Sequence, residues 1–213
     1  KKFRPAIIRK YYSSHLDEIN LTKDKVKQFF SDKKRILSIS KAEKKKNNVI
    51  IMDDGLQDLT IKKKINIVCF NSNDLVGNGF LLPAGPLREQ LDKIKSCQIA
   101  VVNGRKNNTF EKKLKSISRD IKIYQSKYEI KKIQKYKGKR LLAFAGIGNP
   151  ENFFELLNTY GLNVEDKISF PDHYHYSIEE IKNIISIARK KNLKLVTTEK
   201  DYFKIKQLGF KKI

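Results

Sequence analysis

The sequence predicts an α/β protein: a mostly parallel sheet flanked by helices, joined to a second, smaller α/β lobe. Three observations carry this. Short apolar runs such as Val49-Ile50-Ile51-Met52 and Ile65 to Phe70 read as buried strands, the first of them covered on both faces. Helical patterns separate these runs, which argues for βαβ units. Two carboxylates, Asp53 and Asp54, follow the first of the runs directly. They stand at the strand end where open α/β sheets bind ligands.

The elements follow in order. Pro5-Ala6-Ile7-Ile8 reads as the first strand, and the polar stretch from Arg9 to Asn20 as a loop. Thr22 is expected to cap a helix, with Leu21 stapled to Val26 and with Val26, Phe29 and Phe30 as its apolar face. Arg35 to Ile39 reads as a strand. A Lys-rich helix or turn then leads to the strand ending at Asp53. Further strands are expected at Ile65 to Phe70, Gln98 to Val102 and Ile121 to Tyr124. Between them, Asn71 to Glu89 is a long loop crowded with Gly77, Gly79, Pro83, Gly85 and Pro86, and loops of that length inside a compact domain are usually functional. The basic, weakly patterned stretch Lys127 to Arg140 marks a boundary, giving lobes 1–130 and 131–213.

The second lobe opens with strand Leu141 to Ala145 and the turn Gly146-Ile147-Gly148. Asn149 as cap and Pro150 at the first helical position start a helix with a Phe153, Leu156, Leu157, Tyr160 stripe, ended by Gly161. Asn163 to Phe170 is strand or extended chain. Ser177-Ile178-Glu179-Glu180 is a capping box. Leu193 to Thr197 is the last strand, and Thr198 starts the last helix.

Composition narrows the classes. With 39% apolar and 10% aromatic residues in 213, the chain can pack a core. No run approaches the ~20 apolar residues of a membrane span, and no secretory apolar segment opens the chain. Cys69 and Cys97 lie in strand-like runs and read as reduced core residues. The net charge of +23 points to an anionic partner: nucleic acid, an anionic membrane face or a phosphorylated substrate. The lysines are dispersed and no aromatic–basic RNA-binding signature accompanies them, so the charge permits these partners without choosing among them.

The residues suited to chemistry are few. Asp53 and Asp54 ahead of Gly55 have the form of a Walker B strand, since Mg²⁺ prefers one or two carboxylates plus phosphate oxygens. Gly55 is expected to turn the chain just past the metal. The bland alternative is an Asx turn with both acids solvated. His173 and His175 sit in Phe170-Pro171-Asp172-His173-Tyr174-His175-Tyr176, with no third soft ligand to make a zinc site. A structural histidine at a helix entrance is the commoner outcome there. Gly146-Ile147-Gly148 could cradle an anion at a helix start or simply form a tight turn. Asp17-Glu18 and Arg88-Glu89 are the remaining charged pairs; a solvated surface is the usual fate of each.

Taken together, Asp53-Asp54-Gly55-Leu56-Gln57, Gly77-Asn78-Gly79, Leu82-Pro83-Ala84-Gly85-Pro86-Leu87-Arg88-Glu89, Ala145-Gly146-Ile147-Gly148-Asn149-Pro150, Phe170-Pro171-Asp172-His173 and Thr198-Glu199-Lys200-Asp201 closely resemble the tetraacyldisaccharide 4'-kinase family in kind and order. The resemblance implies a P-loop kinase of two lobes. Such a kinase transfers the γ-phosphate of ATP to the 4'-hydroxyl of a tetraacylated disaccharide 1-phosphate in lipid A biosynthesis. It works peripherally at the cytoplasmic face of the bacterial inner membrane, an anionic surface, with no nucleic-acid partner. By motif position, Asp53, Asp54 and Glu18 would serve Mg²⁺, and Arg88 and Glu89 the nucleotide phosphates. Asp17 would be the base or orienting acid, with His173 as its partner across the cleft between the lobes.

The chain departs from the family in reading Arg9-Lys10-Tyr11-Tyr12 for Arg-Gly-Tyr-Gly, and Asp58 where a His is common. No Gly-Lys-Thr loop occurs within the 213 residues, and the expectation is a piece of a longer protein whose phosphate cradle precedes Lys1. This piece alone is expected to be inactive. Two rival classes stand beside the kinase: a generic P-loop ATPase acting on a partner protein, and a basic nucleic-acid-binding module. The motifs around Arg88-Glu89 and Asp172-His173 are needed by neither. Oligomeric state is not encoded in any of these features.

Overall fold

The computed structural model describes residues 2–13 and 16–210. The chain forms nine strands and six α-helices among these residues, and every registered strand pairing is parallel. The strands fall into three three-stranded sheets. The chain divides into two compact units, one made of Lys1–Asp53 with Ile130–Ile213, the other of Asp54–Glu129. This grouping differs from a cut at residue 130 in placing the first segment with the C-terminal half.

In the larger unit, one sheet has the order β2-β1-β3, with β1 at Pro5–Lys10, β2 at Phe29–Asp32 and β3 at Val49–Asp53. Ala6 and Ile8 of β1 are fully buried. β3 is an edge strand pairing with β1, and its Ile51 is 50% exposed. The strand before Asp53 is therefore not buried on both faces, as its apolar run had suggested. The other sheet has the order β8-β7-β9, with β7 at Arg140–Ala145, β8 at Asn163–Ser169 and β9 at Lys194–Thr197. Here β7, expected only as a strand, is buried on both faces. Leu142 and Phe144 point to one side, into a cluster with Tyr176, Ile181, Ile184 and Ile205. Leu141 and Ala143 point to the other, against Phe154, Leu157 and Leu162. Each such large side chain taken from water contributes about 1.5–3 kcal/mol before entropy is counted.

Three helices of this unit start as their caps dictate. α4 (Pro150–Thr159) has the Asn149 side chain accepting from Asn152, α5 (Ile178–Lys190) has the complete Ser177–Glu180 capping box, and α6 (Glu199–Gln207) has Thr198 accepting from Asp201. α2 (Arg35–Lys44) has no side-chain cap. It occupies the segment expected to be a strand at Arg35–Ile39. The reason is visible in its packing. The helix buries Arg35, Ser38 and Ala42, at helical spacing, while Ile36 and Leu37 stay 58% and 51% exposed. A polar inward face hid the period. The Arg9–Asn20 loop and the Thr22 cap are corrected likewise. α1 spans Leu16–Lys25, and Thr22 lies inside it with its hydroxyl donating to the Glu18 carbonyl. Phe29 and Phe30 belong to β2, not to a helix face.

The smaller unit has a sheet of order β4-β5-β6, with β4 at Ile67–Asn71, β5 at Ile99–Asn103 and β6 at Lys122–Ser126. α3 (Asn108–Ile117), capped by Asn107, covers it with Phe110 and Leu114; the short 3-10 helix Leu91–Ser96 adds Ile94. Cys97 is in this core, but Cys69 is exposed: alternate β4 residues Ile67 and Cys69 lie on the uncovered face, so β4 is not the buried strand its apolar run suggested. Both thiols are free.

Candidate active site

The functional geometry of the larger unit begins with strand register. Arg9 of β1 lies opposite Asp53 of β3, so their side chains share a face, and an Arg9 guanidinium nitrogen stands 3.1 Å from Asp53 Oδ2. The same guanidinium pairs with Glu18 in the first turn of α1. An acidic pair at a helix N-terminus is favoured by the exposed amides there. Arg9 thus ties the end of β3 to the start of α1.

Next to Glu18, Asp17 meets the histidine that the sequence singled out. His173 Nδ1 lies 3.2 Å and 3.3 Å from the two Asp17 oxygens. An ionised carboxylate only accepts, so this contact places a proton on Nδ1. His173 Nε2 is 3.8 Å from both Glu18 Oε1 and Asp172 Oδ2. The loop holds the ring with its backbone in the left-handed region (φ 57°), and the Asp172 side chain accepts from the His173 amide at 2.8 Å. Asp17 and His173 lie in the same compact unit and touch directly, so no lobe rotation is needed to bring them together.

Two residues unmarked by sequence reasoning complete the cluster. α6 carries Lys200 and Lys204, one turn apart and therefore on one face. Lys200 Nζ reaches Glu18 at 3.1 Å, Asp172 at 3.4 Å and Asp17 at 3.8 Å. Lys204 Nζ reaches Asp17 at 3.3 Å and donates to the Tyr174 carbonyl at 3.2 Å. Burial by itself would raise the Asp17 carboxyl. The Glu18 amide, Lys204 and Lys200 outweigh it and hold the group below its ordinary value. Glu18 is likewise lowered, with Lys200 and Arg9 overcoming its burial, and Lys200 is raised because Glu18 outweighs burial. Both acids are carboxylates at neutral pH.

Behind this row, buried Asp201 anchors α6. Its Oδ2 accepts from the Gly146 amide at 3.0 Å and from the Thr198 hydroxyl at 2.6 Å. A Cβ on Gly146 would stand 2.9 Å from the Tyr176 hydroxyl and 3.2 Å from Asp201, so the turn after β7 has room only for glycine. Burial, then the nearby Asp201 carboxylate, push the Tyr176 phenol well above its usual range. The turn is thus filled by protein groups, two of them acidic, since Asp172 also lies 3.3 Å from a Cβ position on Gly148. That is the tight-turn reading of Gly146-Ile147-Gly148, not an anion cradle.

In the smaller unit, Asp54 is the residue in the left-handed conformation (φ 49°); the turn expected at Gly55 falls one residue earlier. Its Oδ1 accepts from Arg88 at 2.6 Å. Lys63 fastens the turn beyond it by donating to the carbonyls of Gly55, Leu56 and Asp58, and Asp58 accepts from Thr60 in an Asx turn. Arg88 ends the glycine–proline loop, which is closed by Leu82 N to Leu87 O and Gly85 N to Leu81 O, each 2.9 Å. Asn78 braces it from inside, accepting from Phe80 and donating to Ala84. A Cβ on Gly85 would meet Asn78 Oδ1 at 2.2 Å and the Phe80 carbonyl at 2.4 Å, so no other residue fits. Arg88 and Glu89 line one surface depression with Leu81, Gln90, Asp92 and Lys93.

Among the described residues no three His, Cys, Asp or Glu side chains gather as a metal cage. Asp53 and Glu18 both bear on Arg9, and Asp54 on Arg88. Hard carboxylate oxygens at a strand end suit a Mg²⁺ that shares its coordination with phosphate oxygens, not one enclosed by protein alone.

The family model for tetraacyldisaccharide-1-P 4'-kinase (LpxK) matches residues 17–212. The chain belongs to this kinase family. It is 38% identical over 209 residues to a tetraacyldisaccharide 4'-kinase of Pelagibacter ubique, covering 97% of this chain and 66% of that protein. It is 40% identical over 161 residues to the Rickettsia bellii enzyme of the same name, covering 75% of this chain and 49% of that one. The chain thus spans from about half to just under two thirds of the length of these kinase relatives. In fold it resembles a crystal structure of LpxK from Aquifex aeolicus in complex with ATP, with a TM-score of 0.61 at 21% identity over 94% of this chain and 70% of that one. The α/β, P-loop-kinase-like fold expected from the sequence is the fold of the family.

Proposed function

We propose that the protein is an ATP-dependent kinase acting on the 4'-hydroxyl of a tetraacyldisaccharide 1-phosphate, at the anionic cytoplasmic face of a bacterial inner membrane. The observation that carries the reading is the Asp17–His173 contact, linked through Glu18 and Arg9 to Asp53. Phosphoryl transfer needs little covalent help from protein: positioning, charge neutralisation and a late proton acceptor suffice. Asp17, held ionised, accepts the hydrogen bond and then the proton of the attacking hydroxyl, while His173 donates to its other lone pairs and fixes its direction. Asp53, Asp54 and Glu18 are the residues that would hold Mg²⁺, and Arg88 and Glu89 those that would face nucleotide phosphate. When bound, Mg²⁺ neutralises charge on the transferring phosphoryl group. The proposed division of labour gives nucleotide and metal to residues 1–130 and His173 with its lysines to 131–213.

The direct test is phosphate transfer from labelled ATP to the acylated disaccharide 1-phosphate by the full-length protein. A product carrying a new 4'-phosphate supports the reading. ATP hydrolysis with no lipid product points instead to a generic ATPase. The charge reading has its own arm: co-sedimentation with anionic vesicles should exceed that with neutral ones and fall with salt, since each Lys or Arg near such a surface contributes about 1 kcal/mol. Indifference to lipid charge together with tight duplex-DNA binding would favour a nucleic-acid role.

A further inference from the structure

We propose that Lys204 is a positioning residue for the Asp17–His173 pair, holding both partners from a single ammonium. The inference rests on the kinase reading for its activity arm and on geometry for the rest. Lys204 sits on α6, with its side chain 11% exposed. An ammonium so covered needs acceptors, and it has three donors to offer. One points to Asp17 Oδ2 at 3.3 Å, and one is donated to the carbonyl of Tyr174 at 3.2 Å. Asp17 is one member of the pair, and Tyr174 is the residue directly after the other. Lys204 thus grips both the carboxylate and the backbone of the histidine loop. Lys200, its neighbour on α6, binds Glu18 and Asp172 as well as Asp17, and so is spread over the acids.

The His173 loop needs such a grip. Its backbone adopts a left-handed φ at a non-glycine residue, a conformation that costs of order 1 kcal/mol and persists only where neighbours enforce it. Backbone restraints on the loop include the Asp172 side chain on the His173 amide, Phe170 N to Ala145 O, Tyr174 N to Pro171 O, and Lys204 on the Tyr174 carbonyl, while Lys200 holds the Asp172 side chain. The first three tie the loop to itself and to β7. Lys200 and Lys204 both tie it to α1, Lys200 through the Asp172 side chain and Lys204 through the loop backbone and Asp17 directly. A simple structural role, docking α1 to α6, is the competing account, and the molecule supplies its own control. Lys25 of α1 pairs with Glu199 of α6 at an exposed position that touches neither Asp17 nor His173.

The test uses the full-length protein with Lys204→Met, Lys204→Arg and Lys25→Ala. For Lys204→Met, kcat for lipid phosphorylation should fall on the order of tenfold or more, because misplacement of reacting groups is costly. KM should stay within about threefold. Ring ¹⁵N spectra at fixed pH, with His173 assigned by its loss in His173→Gln, should show the Nδ1-protonated tautomer in the wild type and a mixture in Lys204→Met. Lys204→Arg should restore the tautomer and part of kcat, and Lys25→Ala should change neither. If Lys204→Met does not fold, uncharged Lys204→Gln takes its place under the same criteria. Unchanged kcat and an unchanged tautomer would overturn the proposal. So would an equal kcat loss in Lys25→Ala, which would make helix docking the cause. A tautomer shift in a protein that phosphorylates no lipid would sink the kinase reading while supporting the grip of Lys204 on the pair.

Discussion

Asp17 and Asp54 are both acids with basic partners, but they are held by different means. The Asp17 side chain is 12% exposed and is shared by His173, Lys200 and Lys204. Asp54 is 47% exposed, and the Arg88 that faces it is 59% exposed. A pair as open as Asp54–Arg88 contributes ~0–1 kcal/mol, and water and salt weaken it further. It can exchange one cation for another at little cost. The Asp17 cluster is a network of mutual restraints, and removing one member leaves others covered and uncompensated. The first arrangement suits the role proposed for Asp54, in which a metal would take the place of its arginine. The second suits a residue whose direction must not change.

The sharpest way to break this contrast is at Asp17 itself. Asp17→Ala should lower kcat by 10²–10⁴-fold, the range for losing a positioned proton acceptor. Because it acts with His173, Asp17→Ala/His173→Ala should lose little more than the worse single variant. Fully additive losses in steady-state kinetics would mean separate roles. At the open site, Asp54→Ala should cost on the order of a hundredfold in rate, as expected for removal of a charge-stabilising contact. Asp58→Ala, whose carboxylate closes an Asx turn on Thr60, should cost far less. Equal, small losses would move the metal elsewhere. A third probe asks whether the loop bearing Arg88 is stiff. Gly85→Ala forces a methyl into Asn78 and the Phe80 carbonyl. Overpacking of this kind typically costs 1–3 kcal/mol, so activity should fall several-fold, with a modest drop in Tm.

The smallest effect concerns pH and the end of β2. Burial would raise Asp32, but hydrogen bonds from Lys41 and Ser38 outweigh it and lower its pKa. A carboxyl lowered in the folded state adds stability above its unfolded value, here 3.8, and loses it as pH falls through the folded value. Asp32→Asn should therefore unfold more easily than the wild type at pH 7, by ~1 kcal/mol or less given the exposed Lys41. The gap should close as the pH falls below 3.8 and through the lower folded-state value. A gap in Tm that persists in acid would assign the effect to Ser38 packing instead.

The sequence made the capped elements legible and hid the uncapped ones. α4, α5 and α6 announced themselves through Asn149-Pro150, Ser177–Glu180 and Thr198, and each cap forms. β7 was legible because both its faces are packed. α2 was not, since its inward residues are Arg35, Ser38 and Ala42 and its start has no side-chain cap. α3 is the exception among the capped helices: Asn107 caps it and Phe110, Leu114 and Ile117 stand at helical spacing, but one apolar residue per turn is thin among its charges. In the site, Asp17, Glu18, Asp53 and His173 were marked by motif, and the structure gathers them. Lys200 and Lys204 were not marked, although Lys200 stands inside a quoted motif. Two lysines four apart are inconspicuous in a chain with 46 basic residues; the usable signal was their place one turn apart behind a capped helix start. Arg9 escaped because strand register, not sequence distance, sets it against Asp53.

The anchoring of α6 by Asp201 makes that helix a ruler. Asp201 fixes the first turn to the Gly146 amide, and Lys204 projects three residues further on. An α-helix advances about 1.5 Å and turns about 100° per residue. One residue inserted between Asp201 and Lys204 would swing the lysine a quarter-turn away from Asp17 while leaving every side chain intact. Outward positions of α6 can therefore drift in identity, but the count of residues between anchor and lysine cannot change without taking Lys204 off Asp17 and the Tyr174 carbonyl.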